Sequence, residues 1–210
     1  MVYQGDAARA ICVSSMRIAL HHLRTADPVI GELIGQIGPY KIEYLEPRFD
    51  TLAKAIVYQQ LSGKAAHTIY PRLSDALDAG VTPENVLKLP PARMRKLGLS
   101  KQKIAYIRDL AAQTRDGVVD FATLPRLDDG AVVETLTRVK GVGVWTAHMF
   151  LIFALRRPDV LPVGDLGIRA AVRKAYALDE LPTPGEIEER GRCWRPYSTV
   201  ASWYLWRSLE

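Results

Sequence analysis

The sequence predicts an all-α fold, on three observations. Apolar residues recur at helical spacing in nearly every segment, strand-type alternation is nearly absent, and the connections are short and punctuated by Gly and Pro. Asp27 and Pro28 form a cap-and-first-turn pair, and Val29, Leu33, Ile34 and Ile37 follow at helical spacing before Gly38 stops the helix. A second pattern runs through Leu52, Ala55, Ile56, Gln59 and Gln60. Ser62-Gly63 breaks it and opens another through Ala66, Ile69, Tyr70 and Leu73, which Pro71 is expected to distort. Thr82-Pro83 and Pro90-Pro91 open two short helices, and Ser100 caps a longer one through Ile104, Ile107 and Leu110. Asp128–Val139 and Val144–Leu155 flank a glycine-rich turn. Helices near Ile168–Ala177 and Pro196–Leu209, with a short one opened by Thr183-Pro184, complete the chain. The one strand-like stretch is a weak alternation at Gly117–Phe121.

The 210 residues suffice for one or two domains with a substantial core. No apolar run approaches the roughly 20 residues needed to cross a bilayer. The first 16 residues carry Asp6 and Arg9 and no continuous apolar core, so a cytoplasmic protein without a signal peptide is expected. Cys12 and Cys193 cannot by themselves ligate zinc or an iron–sulfur cluster. Their spacing leaves a disulfide open, and buried free thiols are the expectation. The net charge of +5 is modest, but its distribution is uneven. Between Asn85 and Arg108 stand Lys88, Arg93, Arg95, Lys96, Lys101, Lys103 and Arg108 with no acid, and between Gly191 and Leu209 stand Arg192, Arg195 and Arg207, again with none. Such stretches suit a polyanion, although each alone is also compatible with a solvated helix face.

The segment most informative about chemistry is Val139-Lys140-Gly141-Val142-Gly143-Val144-Trp145-Thr146-Ala147, between two predicted helices. Two glycines one residue apart allow a tight turn and a close approach of backbone to ligand. The second helix starts at the turn, so its first N–H groups are donors for an anion such as a DNA phosphate. Farther on, Leu161-Pro162-Val163-Gly164-Asp165 leads into the helix of Ile168, Arg169 and Val172. Read alone, Asp165 is a helix N-cap, a place that also suits a functional carboxylate because the helix dipole favours negative charge there.

Gly-Val-Gly-x-Trp-Thr-Ala followed 22 residues after Gly143 by Pro-Val-Gly-Asp resembles the helix-hairpin-helix DNA glycosylases, named for the hairpin and for a Gly/Pro-rich loop ending in Asp. The nearest branch is bacterial 3-methyladenine DNA glycosylase II, in a compact form without its N-terminal β domain. Ile56–Ala66 resembles the family's early helix pair and Cys193–Tyr197 a region near its C-terminus. The resemblance implies two helical lobes, residues 1–45 with 156–210 and residues 46–155, with DNA and the active site in the cleft between them and the hairpin at about 136–155. It implies Asp165 as the catalytic carboxylate and Trp145, Trp194, Met149 and Leu166 around the base. DNA contacts fall to the hairpin, Lys140, Gly141, Val142, Gly143, Val144 and Thr146, and to Gln60, Leu61 and Ser62, with Leu61 as the apolar wedge. No cofactor or iron–sulfur cluster is implied beyond a structural Na+ or K+ on the main-chain carbonyls of Thr137, Val139 and Val142.

The implied reaction is hydrolysis of the N-glycosidic bond of alkylated purines in double-stranded DNA, for base excision repair: 3-methyladenine, 7-methylguanine and, as a further substrate, 1,N6-ethenoadenine. A monomer with no membrane association is expected. Trp145 stands where strand-cleaving relatives carry a nucleophilic lysine, which implies a monofunctional enzyme. Met149 and Leu166 replace pocket aromatics of better-known members, and Ser198 replaces an expected Arg, so the pocket shape departs from theirs. Two other readings fit parts of the sequence: a non-catalytic DNA-binding module, and a glycosylase for uracil or thymine opposite guanine.

Overall fold

The computed structural model describes residues 5–60, 63–77 and 80–210, with side chains described from residue 15 onward except at 61–67. The chain divides into two compact units, Met1–Glu43 with Arg157–Glu210, and Tyr44–Arg156. Among the described residues every regular element is helical, and no helix is long and apolar enough to cross a membrane.

The first unit holds α1 (Gly5–Ala26), α2 (Pro28–Ile37), α10 (Leu166–Ala175), α11 (Pro184–Gly191) and α12 (Ser198–Arg207). Its core joins Leu23, Ile30 and Ile34 to Ile168, Val172, Ile187, Val200, Tyr204 and Leu205, so the two ends of the chain share one apolar interior. The cap signals act as predicted. Asp27 Oδ1 accepts from the Val29 and Ile30 N–H groups, and Thr183 with Glu186 closes a reciprocal capping box on α11. Gly38 ends α2 with φ +83°, a left-handed value that glycine adopts without steric cost. The 22-residue α1 has no counterpart among the predicted elements.

The second unit holds α3 (Phe49–Tyr58), α4 (Gly63–Asp75), α5 (Pro83–Lys88), α6 (Pro91–Lys96), α7 (Lys101–Arg115), α8 (Asp129–Thr137) and α9 (Val144–Phe153). α7 is central: it packs on α3, α5 and α6, burying Ile104, Ile107, Leu110 and Ala111. Pro71 lies inside α4, which continues past it. The segment expected to alternate as a strand, Gly117–Phe121, is instead the exit of α7. Gly117 takes φ +75°, and the N–H groups of Val118 and Val119 bond back to Gln113 O at 2.9 and 3.1 Å, satisfying a carbonyl of the last helical turn.

The basic segments also resolve into different jobs. Lys88, Arg93, Arg95, Lys96 and Lys101 are exposed. Arg108 instead points Nη1 at the carbonyls of Val86, Leu87 and Leu89 (3.1–3.3 Å), capping α5, and Lys103 does the same for the end of α3. Near the C-terminus, Arg192 pairs with Glu189 at 2.9 Å, Arg207 with Glu210 at 2.6 Å and Arg195 with Asp159 at 4.0 Å. These acids lie outside or at the edge of the acid-free stretch in sequence, and they offset the positive field expected from it. Cys193 carries a free thiol, and it is exposed rather than buried.

Candidate active site

α8, the turn Arg138–Gly143 and α9 form the hairpin, and three features hold the turn. Gly141 has φ +80°, and a Cβ there would lie 2.0 Å from Cδ2 of Tyr106, so the ring on α7 packs directly against bare backbone. Asp109 Oδ2, also on α7, accepts from the Lys140 N–H at 2.9 Å and from Gln113 Nε2 at 2.7 Å, and Lys140 Nζ stands 3.5 Å from its Oδ1. Partial burial pushes the Asp109 carboxyl up, but the bonds from Lys140 and Gln113 outweigh it and hold it below its ordinary value. Gln59 Nε2 donates to Gly141 O at 2.9 Å and to Thr146 Oγ1 at 3.3 Å. The Lys140 and Val142 N–H groups are thus committed inside the protein, the latter to Val139 O at 3.0 Å. Gly143 and Val144 form the exposed tip, where no side chain of the cap residue covers the start of α9.

Not all six hairpin residues keep their expected place. Val142 is buried, and Thr146 is buried with its hydroxyl accepting from Gln59, so its side chain props the hairpin from within instead of reaching outward. Gly141→Ala is expected to weaken binding to an abasic duplex at least tenfold, about 1.4 kcal/mol, because the new methyl meets both a left-handed φ and the Tyr106 ring. Fluorescence anisotropy checks it, and unchanged affinity would mean the turn has another role.

Beside the hairpin, within the same unit, lies a cavity of about 810 Å³. Trp145, 49% exposed, and Met149 stand one turn apart on α9 and line it, with Tyr58, Gln59, Gln60, Lys103 and Tyr106 opposite. The lining is more polar than the aromatic and apolar set expected, because the end of α3 presents two glutamines and α7 a lysine. Gln60 is exposed and holds φ +55° where α3 ends. Leu61 and Ser62 lie outside the described residues.

In the other unit, Asp165 is the N-cap of α10. Its carboxylate is 8% exposed, and Oδ1 accepts from the Ile168 N–H at 2.8 Å and from Trp206 Nε1 at 2.9 Å. Gly167 makes room for this arrangement, since a Cβ there would stand 3.0 Å from Asp165 Oδ1 and 3.2 Å from Trp206 Cδ1. Leu166 is exposed on the first turn. Sequence reasoning missed Trp206, whose indole holds the carboxylate from 41 positions away.

Trp194 requires correction. It is 0% exposed; its ring is part of the apolar core, and Nε1 donates to Asp27 Oδ2 at 2.8 Å. An indole with a buried carboxylate partner satisfies its one donor and packs the rest of its surface, which makes it a core residue.

A family model described as "HhH-GPD superfamily base excision DNA repair protein" matches residues 53–196, which span the hairpin and Asp165. The chain belongs to that superfamily. DNA-3-methyladenine glycosylase 1 of Schizosaccharomyces pombe is 34% identical over 205 residues, 94% of this chain and 90% of the relative. A Schizosaccharomyces pombe 3-methyladenine DNA glycosylase in complex with abasic DNA superposes with TM-score 0.80 at 34% identity, over 90% of this chain and 95% of that one. A DNA-3-methyladenine glycosidase from Bacillus halodurans gives 0.83 at 35% identity, over 90% and 88%. The span matched to the HhH-GPD model includes the hairpin with Gly141 at its turn and the Pro162-Val163-Gly164 loop ending in Asp165. Trp206 lies beyond the matched span.

Proposed function

We propose that the protein is a monofunctional DNA glycosylase that hydrolyses the N-glycosidic bond of 3-methyladenine and other alkylated purines in duplex DNA, the first step of base excision repair. The observation that carries this reading is Asp165: a carboxylate at the start of a helix, held by two donors, in a chain of the HhH-GPD superfamily. The target bond is hidden in the duplex, so the nucleotide must leave the stack, at a cost of a few kcal/mol. A purine alkylated at N3 or N7 is cationic and departs without a general acid. The sugar left behind is oxocarbenium-like, and the Asp165 carboxylate stabilises that charge and orients the attacking water. The half-exposed Trp145 ring offers a π-face to an electron-poor base. At this position a lysine would form a Schiff base; tryptophan does not, and the nearby Lys140 is engaged by Asp109.

A Na+ or K+ would sit on the main-chain carbonyls of Thr137, Val139 and Val142. Val139 O accepts one bond, from the Val142 N–H, and a carbonyl oxygen with two lone pairs can accept such an ion as well. The ion would supply positive charge next to the phosphate-binding turn. We take the protein to act as a cytoplasmic monomer on double-stranded DNA.

Methylated duplex DNA should lose 3-methyladenine and 7-methylguanine on incubation with the protein, and the strand should stay intact until alkali or heat is applied. Release of neither base would overturn the substrate assignment. Strand cleavage in step with base release would overturn the monofunctional one. An ethenoadenine oligonucleotide serves as a second substrate.

A further inference from the structure

Lys103 is a cation that the reaction described above does not use. From α7 its Nζ donates to three main-chain carbonyls where α3 ends: Val57 O, Gln59 O at 2.6 Å and Ile56 O at 3.2 Å. Those carbonyls have no partner farther along α3, so a lysine arriving from another helix satisfies them together. The next link is Gln59 itself. Its backbone is held by Lys103 and its side chain reaches 82 positions along the chain to Gly141 O, with a second bond to Thr146 Oγ1. One continuous path of hydrogen bonds therefore runs from α7 through the end of α3 to the hairpin turn, and Lys103, Gln59, Thr146 and Gly141 all line the cavity along it.

We infer that Lys103 and Gln59 are positioning residues, forming a brace that fixes the register between the phosphate-gripping hairpin and the wall of the base cavity. The hairpin holds the DNA backbone, and the cavity has to receive a base attached to that backbone. An error of about 1 Å between the two would misplace the reacting bond and cost on the order of a hundredfold in rate. Gln60, at φ +55° directly after the braced residue, holds a conformation that costs energy for a non-glycine residue, and such positions persist where surrounding contacts over-determine them. Burial, which pushes the Lys103 ammonium down from its ordinary value, agrees with a side chain committed to the interior instead of to a phosphate.

The inference rests on the glycosylase reading, so its test needs one measurement that does not. Hydrogen exchange supplies it. In Lys103→Met, amides of the hairpin, residues 139–146, should exchange at least fivefold faster than in the wild type, while those of α7 stay within twofold. Unchanged exchange at the hairpin would overturn the brace, whether or not the protein releases any base. With activity in hand, single-turnover base release from methylated duplex should fall at least tenfold in Lys103→Met. The Kd for a duplex with a tetrahydrofuran abasic analogue should change less than threefold. Lys103→Arg, which keeps cationic donors, should recover at least a third of the rate. Gln59→Leu should reproduce the same split, and the double variant should be no more than threefold worse than the slower single one, because the two residues act in series. Rate and affinity falling together, with Lys103→Arg as slow as Lys103→Met, would reduce Lys103 to a helix-end contact with no part in positioning.

Discussion

Asp165→Asn should lower base release from methylated duplex DNA by about a hundred- to a thousandfold, the usual loss when one group that stabilises transition-state charge is removed. It should leave the fold and the grip on DNA in place. The reason for the split lies in the cap. Asn is as good an N-cap as Asp, and its oxygen can take over the bonds from Ile168 N–H and Trp206 Nε1, so stability should move by no more than about 0.5 kcal/mol. What the amide lacks is the negative charge. Affinity for an abasic duplex should hold or rise slightly, since a carboxylate near a polyanion is removed. Single-turnover kinetics and anisotropy on the same preparation measure the two sides. Near-wild-type release by Asp165→Asn would mean that another group carries the chemistry. Lost DNA binding together with lost activity would mean that Asp165 works as a structural cap.

The same residue shows what was legible in the sequence. Its place at the start of α10 followed from local rules, as did Asp27, Ser100 and Thr183 at theirs, because a cap and the N–H it serves lie two or three positions apart. The hairpin was legible for the same reason: both glycines and the helix start fall within a few residues. Partners far apart in the chain were not. Trp206 carries no local mark that ties it to Asp165, and Lys103 and Arg108 read as surface charge because their carbonyls lie 44–47 and 19–22 positions away. Trp194 was read as a pocket aromatic because its neighbours resemble a family segment. The carboxylate that claims its indole is 167 positions distant. α1 escaped because the positions that its described part packs into the core, Met16, Ala19, Leu20 and Leu23, are interleaved with Arg17, His21, His22 and Arg24.

Asp27 is where such long-range bonding matters most for stability, and Asp27→Ala is expected to be strongly destabilising. The carboxylate is 7% exposed and serves three elements. Oδ1 caps α2 through the Val29 and Ile30 N–H groups, at 3.0 and 3.3 Å. Oδ2 accepts from Trp194 Nε1 and from the Tyr176 hydroxyl. Burial and the Asp27 bond push the Tyr176 phenol well above its ordinary value, and the Arg190 guanidinium lies 4.1 Å from its ring. Alanine would remove a cap, at about 1 kcal/mol, and strand a fully buried indole N–H and a half-buried hydroxyl, at about 1–3 kcal/mol each. The half-buried hydroxyl can recover water, so its share falls at the low end, and a total of about 3–5 kcal/mol is a large share of the roughly 5–15 kcal/mol that holds a typical protein folded. At about 2–4 °C per kcal/mol, the melting temperature should drop by about 10 °C. Asp27→Asn separates the two jobs. Its oxygen can still cap α2, while its amide nitrogen would meet the Trp194 N–H donor to donor, so it should cost about 1–3 kcal/mol. Urea denaturation of the three proteins measures the series. A loss of only about 1 kcal/mol in Asp27→Ala, with Asp27→Asn neutral, would show that the carboxylate acts as a helix cap alone and that the buried indole can be satisfied without it.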